Sequence, residues 1–230
     1  MAIKNRILFV EGIDDQHTIW AICEQLKIEE TFRVIVPDGE GKIPKKNARQ
    51  NELGGIDNVL KATQLNLIAG SSAVERIGIV IDADDNLNAR WQQVKSILEK
   101  ADYENLPDLP NANGTFIKQE FKPTFGVWIM PDNVTNRGML EDFLEFLVPD
   151  KETNPIWAKA VKCSQEVLEE IEKEKRFGKS HLAKAQIHAY LAWQKECGKP
   201  FGLSITAKYL QINNPHCEKF VEWLKRLFVV

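Results

Sequence analysis

The sequence predicts an α/β fold in which a mainly parallel sheet is flanked by helices and followed by a C-terminal helical extension. Three observations lead there. Short apolar runs, ILFV (7–10), FRVIV (32–36) and RIGIVI (76–81), each stop at turn-forming or acidic residues. Each is followed by a stretch with apolar residues at helical spacing, and strands alternating with helices are the pattern of a parallel sheet. After Gly138 the strand signals end and helical periodicity takes over.

The run 7–10 reads as a buried strand because it is short and stops at Glu11-Gly12. Ile19, Ile22, Cys23 and Leu26 then recur at helical spacing, with Asp14 or Asp15 placed to cap the first turn. The second strand, 32–36, leads into the polar loop PDGEGKIPKKNARQNELGG, and a helix from about Ile56 to Leu67 carries Val59, Leu60 and Thr63 on one side. The third strand, 76–81, runs into ADDN, and Trp91, Val94, Ile97 and Leu98 mark the next helix, with Asp85 as its expected cap. FIKQEF and FGVWIM read as a hairpin or as a strand preceded by a loop. Leu140, Phe143, Leu144 and Leu147 form a helical stripe closed by Pro149; beyond it, helices are expected over 155–175, 180–196, 203–210 and 216–228. The expected division is an α/β domain over 1–150 and a helical extension over 151–230, packed on it because the linker is short.

Bulk properties narrow the function classes. Apolar residues make up 43% and charged residues 27%, which fits a folded globular chain rather than a disordered one. With 30 Lys and Arg against 33 Asp and Glu, the net charge of -3 gives no global attraction to nucleic acid, so any polyanion site must be local or borrow charge from a metal. The four cysteines are far apart and none forms a CxxC pair, which argues against a zinc ribbon or a disulfide framework and fits a reducing cytoplasm. No apolar run approaches the roughly 20 residues needed to span a bilayer, and the apolar start meets Glu11 too soon for a signal peptide. The six tryptophans, one per element, read as core anchors rather than a base-stacking platform.

The acids carry the chemistry. In a parallel sheet, ligands bind beyond the carboxyl ends of the strands, where Glu11 closes the first strand and Asp82 and Asp84 close the third. Carboxylates crowded at strand ends repel, so a cation must offset them, and hard oxygen donors suit Mg²⁺ or Mn²⁺. In an extended D-x-D segment both side chains face one side and can grip one ion. Gly12 frees the backbone to turn under Glu11 and lets a phosphate approach. The loop GKIPKKNAR supplies Lys42, Lys45, Lys46 and Arg49 as a local funnel for a backbone phosphate, although such basic runs are commonly just solvated. The bland reading of the acids is helix capping and strand-end solvation.

LFVEGIDD resembles the h-h-h-E-G segment, and IGIVIDADDN the h-h-h-D-x-D segment, of the TOPRIM domain of primases, topoisomerases and OLD-type nucleases; order, strand context and a separation of about seventy residues fit. MPDNVTNRGMLEDFL (130–144) resembles the acidic segment that follows the core in small stand-alone prokaryotic members related to the OLD-type nucleases. The resemblance implies a TOPRIM-like, Rossmann-like sheet and a metal-dependent phosphoryl-transfer centre. Asp82 and Asp84 would be Mg²⁺ ligands, Glu11 a ligand or general acid/base, and Asp15 an extra acid able to help hold a second metal. Glu141 and, after it, Asp142 would be further candidate metal ligands, and Lys184 a candidate for the lysine that such members often place beyond the acidic core. The glycine usual soon after D-x-D is replaced by DNLNARW, which leaves room for a degenerate site. No separate large domain carries a tyrosine nucleophile, so strand passage is excluded and hydrolytic cleavage remains.

Three functions follow as expectations. The first is a Mg²⁺- or Mn²⁺-dependent nuclease or phosphodiesterase acting on DNA or RNA. The second is a binding module that kept the pocket but lost catalysis, working within a larger nucleic-acid or defence assembly. The third, a small-molecule phosphohydrolase of the haloacid dehalogenase type, fits less well, because that chemistry wants D-x-D on the first strand, followed by Gly-Thr.

Overall fold

The computed structural model describes residues 5–42, 44, 53–68 and 74–229. Lys45, Lys46 and Arg49 of the expected phosphate loop lie outside the described residues. Five strands, β1 (Arg6–Val10), β2 (Arg33–Ile35), β3 (Arg76–Asp82), β4 (Thr115–Ile117) and β5 (Thr124–Met130), form one sheet in the order β2-β1-β3-β5-β4. β1 runs parallel to β2 and β3, and β3 parallel to β5; only the edge strand β4 is antiparallel, so FIKQEF and FGVWIM form a hairpin-like pair through Thr115–Ile117.

Both faces of the sheet are covered, which is why the strands read as continuous apolar runs. Alternation sorts the residues. Ile7, Phe9, Ile77, Ile79 and Ile81 point to one side, where α2 (Ile56–Ile68) contributes Val59 and α3 (Leu87–Lys100) contributes Trp91, Val94 and Leu98. Leu8, Val10, Val80 and Trp128 point to the other, where α1 (Ile13–Gln25) brings Ile19 and Ile22.

That second core also takes in the C-terminal helices. α4 (Leu140–Phe146), α5 (Pro155–Glu170), α6 (Leu182–Ala192), α7 (Phe201–Thr206) and α8 (Pro215–Phe228) supply Phe143, Trp157, Tyr190, Phe201 and Phe220 to the same apolar cluster as Leu8 and Trp128. α8 lies directly on the sheet. Gly78 and Gly126 are paired across β3 and β5, and a Cβ on them would stand 2.9 and 2.5 Å from Leu227 Cδ2. Two glycines side by side in central strands therefore make the groove into which Leu227 fits. Among the described residues, no helix is long and apolar enough to cross a membrane.

Some local expectations are corrected. Gly12 occupies the N-cap position of α1, not Asp14 or Asp15, and Asp15 turns inward. Asn86, not Asp85, caps α3, its side chain accepting the Ala89 N–H at 2.9 Å. The helix expected to run to 175 stops at Glu170, where Ile171 turns extended and Arg176 donates to the Ile171 carbonyl. Four of the tryptophans, at 91, 128, 157 and 223, are core anchors, whereas Trp20 and Trp193 are 48% and 44% exposed.

Candidate functional site

The register of the sheet decides which acids meet. Val10 pairs with Val80 and Asp82 pairs with Met130, so the residues just beyond β1 come alongside the end of β3. Glu11 Oε1 accepts the backbone N–H of Asp82 at 2.8 Å. Asp15 lies in the first turn of α1, and its Oδ2 sits where a Cβ at Gly12 would be only 3.0 Å away. A side chain at residue 12 would crowd that carboxylate.

Gly54 closes the same corner. Its φ is +78°, and a Cβ would stand 2.1 Å from the Glu11 carbonyl oxygen, which accepts the Gly55 N–H at 2.8 Å. Only glycine combines that backbone with that approach. The loop after β5 delivers the last acid. Gly138 and Asp84 exchange two backbone hydrogen bonds, at 2.9 and 3.0 Å, which ties the turn after β3 to the segment that opens α4. Within α4, Glu141 is buried and turns inward, whereas Asp142 Oδ2 accepts the N–H of Met139 and so caps its own helix.

Glu11, Gly12, Asp15, Asp82, Glu141 and Lys184 line one cavity of about 510 Å³. Lys184 donates to Glu141 at 2.8 Å, and that bond raises the lysine above its ordinary range. The remaining acids have little compensation. Burial raises Glu11 from 4.5 to about 7, against the opposing pull of the Asp82 N–H and the Arg90 charge. Asp15 rises from 3.8 to about 8, through burial first and then through Glu11 and Glu141. Asp82 is pushed well above the usual carboxylate range by burial and by Asp15, Glu11 and Glu141, and its Oδ1 is buried with no hydrogen-bond partner. A buried carboxylate oxygen without a donor is costly and calls for a proton or a cation.

Not every expected residue joins this cavity. Asp84 has φ +49°, and its carboxylate is taken by the Arg90 guanidinium. It lines a neighbouring depression of about 500 Å³ with Asp85, Arg137, Lys179 and His181, where Asp85 is paired with Arg137. Lys42 is exposed and paired with Glu40 at 2.6 Å. Arg90 is the residue that sequence reasoning missed. It is 8% exposed and donates from Nε to the Asp82 carbonyl at 2.8 Å. A lone charged residue at the start of an amphipathic helix gives no signal of inward orientation, since arginines there are mostly solvated.

The residue types fit a hard divalent cation: five acidic residues, Glu11, Asp14, Asp15, Asp82 and Glu141, line one polar cavity, with one Asp82 oxygen buried and unpartnered. Among the described residues, however, no group of three or more His, Cys, Asp or Glu side chains is already drawn together closely enough to hold a metal ion. Two of the acids are engaged elsewhere, Glu141 by Lys184 and Asp84 by Arg90.

No curated protein and no solved structure matches the chain. A family model matches residues 5–229, nearly its whole length, and the chain thus belongs to the family described as "Protein of unknown function (DUF3226)".

Proposed function

We propose that this is a TOPRIM-like protein whose acidic cavity takes Mg²⁺ or Mn²⁺ and serves phosphoryl transfer, as a nuclease or phosphodiesterase acting on nucleic acid. The observation that carries this reading is the convergence of Glu11, Asp15, Asp82 and Glu141 on one cavity at the carboxyl ends of β1 and β3, with Asp82 Oδ1 unpartnered. Ligand sites of open α/β sheets lie at that edge. Glu11, Asp15, Asp82 and Glu141 would hold the ion, with Asp84, engaged by Arg90, beside them and its charge felt at Asp82. When bound, such an ion neutralises a phosphate and lowers the pKa of water.

The chain's own residues supply the rest. Glu11, raised to about 7 by burial while the cavity holds no cation, gives up its proton near neutral pH and can then join the carboxylates that hold the ion. Lys184, half exposed at the cavity rim, offers a positive charge for a phosphate oxygen if it parts from Glu141. Gly12 keeps the approach to the strand ends clear of side chain.

The test is cleavage of single- and double-stranded DNA and RNA by the purified protein with Mg²⁺ or Mn²⁺, beside Asp82→Asn and Glu11→Gln. The reading expects metal-dependent cleavage that both variants lose. Binding without cleavage would favour a second reading, a nucleic-acid or partner-binding module that has lost catalysis, for which the Asp84–Arg90 ion pair is the supporting observation.

A further inference from the structure

Arg90 is a buried charge with a partner on each of its three guanidinium nitrogens, and those partners are informative. Its Nε donates to the carbonyl of Asp82 at 2.8 Å, one terminal nitrogen to Gln93 Oε1 at 2.8 Å, and the other to the carboxylate of Asp84. One guanidinium thus spans the main chain of the first acid of the D-x-D segment and the side chain of the second. A planar fork can do this, whereas an ammonium cannot reach both acceptors in fixed directions.

The turn it spans needs holding. Asp84 is in the left-handed region at φ +49°, a conformation uncommon for a residue with a side chain, although aspartate tolerates it better than most. The Gly138 backbone fixes that residue from one side, and Arg90 fixes it from the other. The consequence falls on Asp82, whose N–H is bonded to Glu11 and whose carbonyl is bonded to Arg90. With both ends of its peptide frame fixed, its carboxylate is directed into the cavity shared with Asp15 and Glu141.

We propose that Arg90 is a positioning residue for the acidic cavity, holding the strand-end turn so that Asp82 presents its carboxylate to a bound divalent cation. This rests on the reading that the cavity takes such a cation. The sign of the effect separates positioning from plain electrostatics. Deleting a positive charge beside a cation site strengthens cation binding by Coulomb's law, so a loss of affinity on removing Arg90 reports geometry.

The experiment is calorimetric titration of the full chain with Mn²⁺ at pH 8, for wild type, Arg90→Gln, Arg90→Lys and Asp84→Asn. Circular dichroism confirms that each is folded at the titration temperature. Wild type binds Mn²⁺, and Arg90→Gln and Arg90→Lys both lose about tenfold or more in affinity, the scale on which groups that orient metal ligands act. Asp84→Asn, which removes a negative charge as well as loosening the same fork from its other end, also loses affinity, and unchanged binding by that variant counts against the positioning role. If Arg90→Gln does not fold, Arg90→Lys decides, because it keeps the charge and loses only the fork. Equal or tighter binding by the folded Arg90 variants overturns the positioning role while leaving the cation reading intact. Absence of Mn²⁺ binding by wild type brings down the cation reading and this inference with it.

Discussion

Glu11 Oε1 accepts the Asp82 N–H at 2.8 Å, so the side chain that ends one strand is fastened to the main chain that ends the next. This bond joins two segments about seventy residues apart and sets the geometry of the cavity. It also leaves the Asp82 carboxylate facing other acids, with burial as the main cost.

The first prediction is a pH effect on stability. Glu11 and Asp15 hold protons more tightly folded than unfolded, with values raised from 4.5 to about 7 and from 3.8 to about 8. Their contribution to stability is therefore fully present below the unfolded values and is lost as pH rises through the folded ones. Without divalent metal, the melting temperature falls between pH 5 and pH 8. Mn²⁺ reverses the fall, and more strongly at pH 8 than at pH 6, because binding requires the ionised carboxylates. Differential scanning calorimetry checks this; a melting temperature that rises across that range contradicts it.

Asp82→Asn separates stability from binding. The substitution keeps the shape and replaces a buried acid that its surroundings hold well above the ordinary range with an amide that is neutral at every pH. The metal-free variant melts at the same temperature as wild type or higher at pH 8, and its Mn²⁺-induced stabilisation is gone. Thermal shift with and without Mn²⁺ reads both. A retained Mn²⁺ shift would remove Asp82 from the ion-holding set.

The sheet and its strand ends were legible in the sequence because both faces of β1 and β3 are buried, so each strand is an unbroken apolar run that stops at its acids. Glu11 and Asp82 could be placed at one edge for the same reason, whereas Asp15 and Glu141, which lie on helices, were candidates only through the family resemblance. What could not be read was which of two acids separated by one residue turns inward. Asp84 lies beyond the last pleated residue of β3, in a left-handed turn, where the period-2 rule no longer applies. Its partner Arg90 is set by tertiary packing that helical spacing alone does not reveal. The twin glycines under Leu227 were likewise invisible, since a glycine in a strand marks a close approach without naming what approaches.

The neighbouring glycines Gly54 and Gly55 respond differently to alanine. Both have positive φ, at +78° and +82°, but only at Gly54 would a Cβ meet another group, the Glu11 carbonyl oxygen at 2.1 Å. Gly55→Ala costs about 1 kcal/mol, the ordinary penalty of a left-handed residue. Gly54→Ala costs about 3 kcal/mol or more, because the contact must also be relieved. Urea denaturation measures both, and equal losses contradict the account.

The seat of α8 on the sheet predicts a compensating pair. Leu227→Ala empties a fully buried site and costs about 2–5 kcal/mol. Gly126→Ala overpacks the same contact and costs about 1–3 kcal/mol. Combined, they destabilise by less than the sum of the two, since the added methyl enters the space that the leucine vacates. Strict additivity in a urea double-mutant cycle would show that Leu227 does not rest on Gly126.

The most direct measurement is an anomalous difference map from crystals of the full chain grown with Mn²⁺ at pH 8. The account predicts a peak bounded by the carboxylates of Glu11 and Asp82, with Asp15 or Glu141 completing the set. Saturating Mn²⁺ with no peak in that cavity, or a peak held only by other residues, would contradict it.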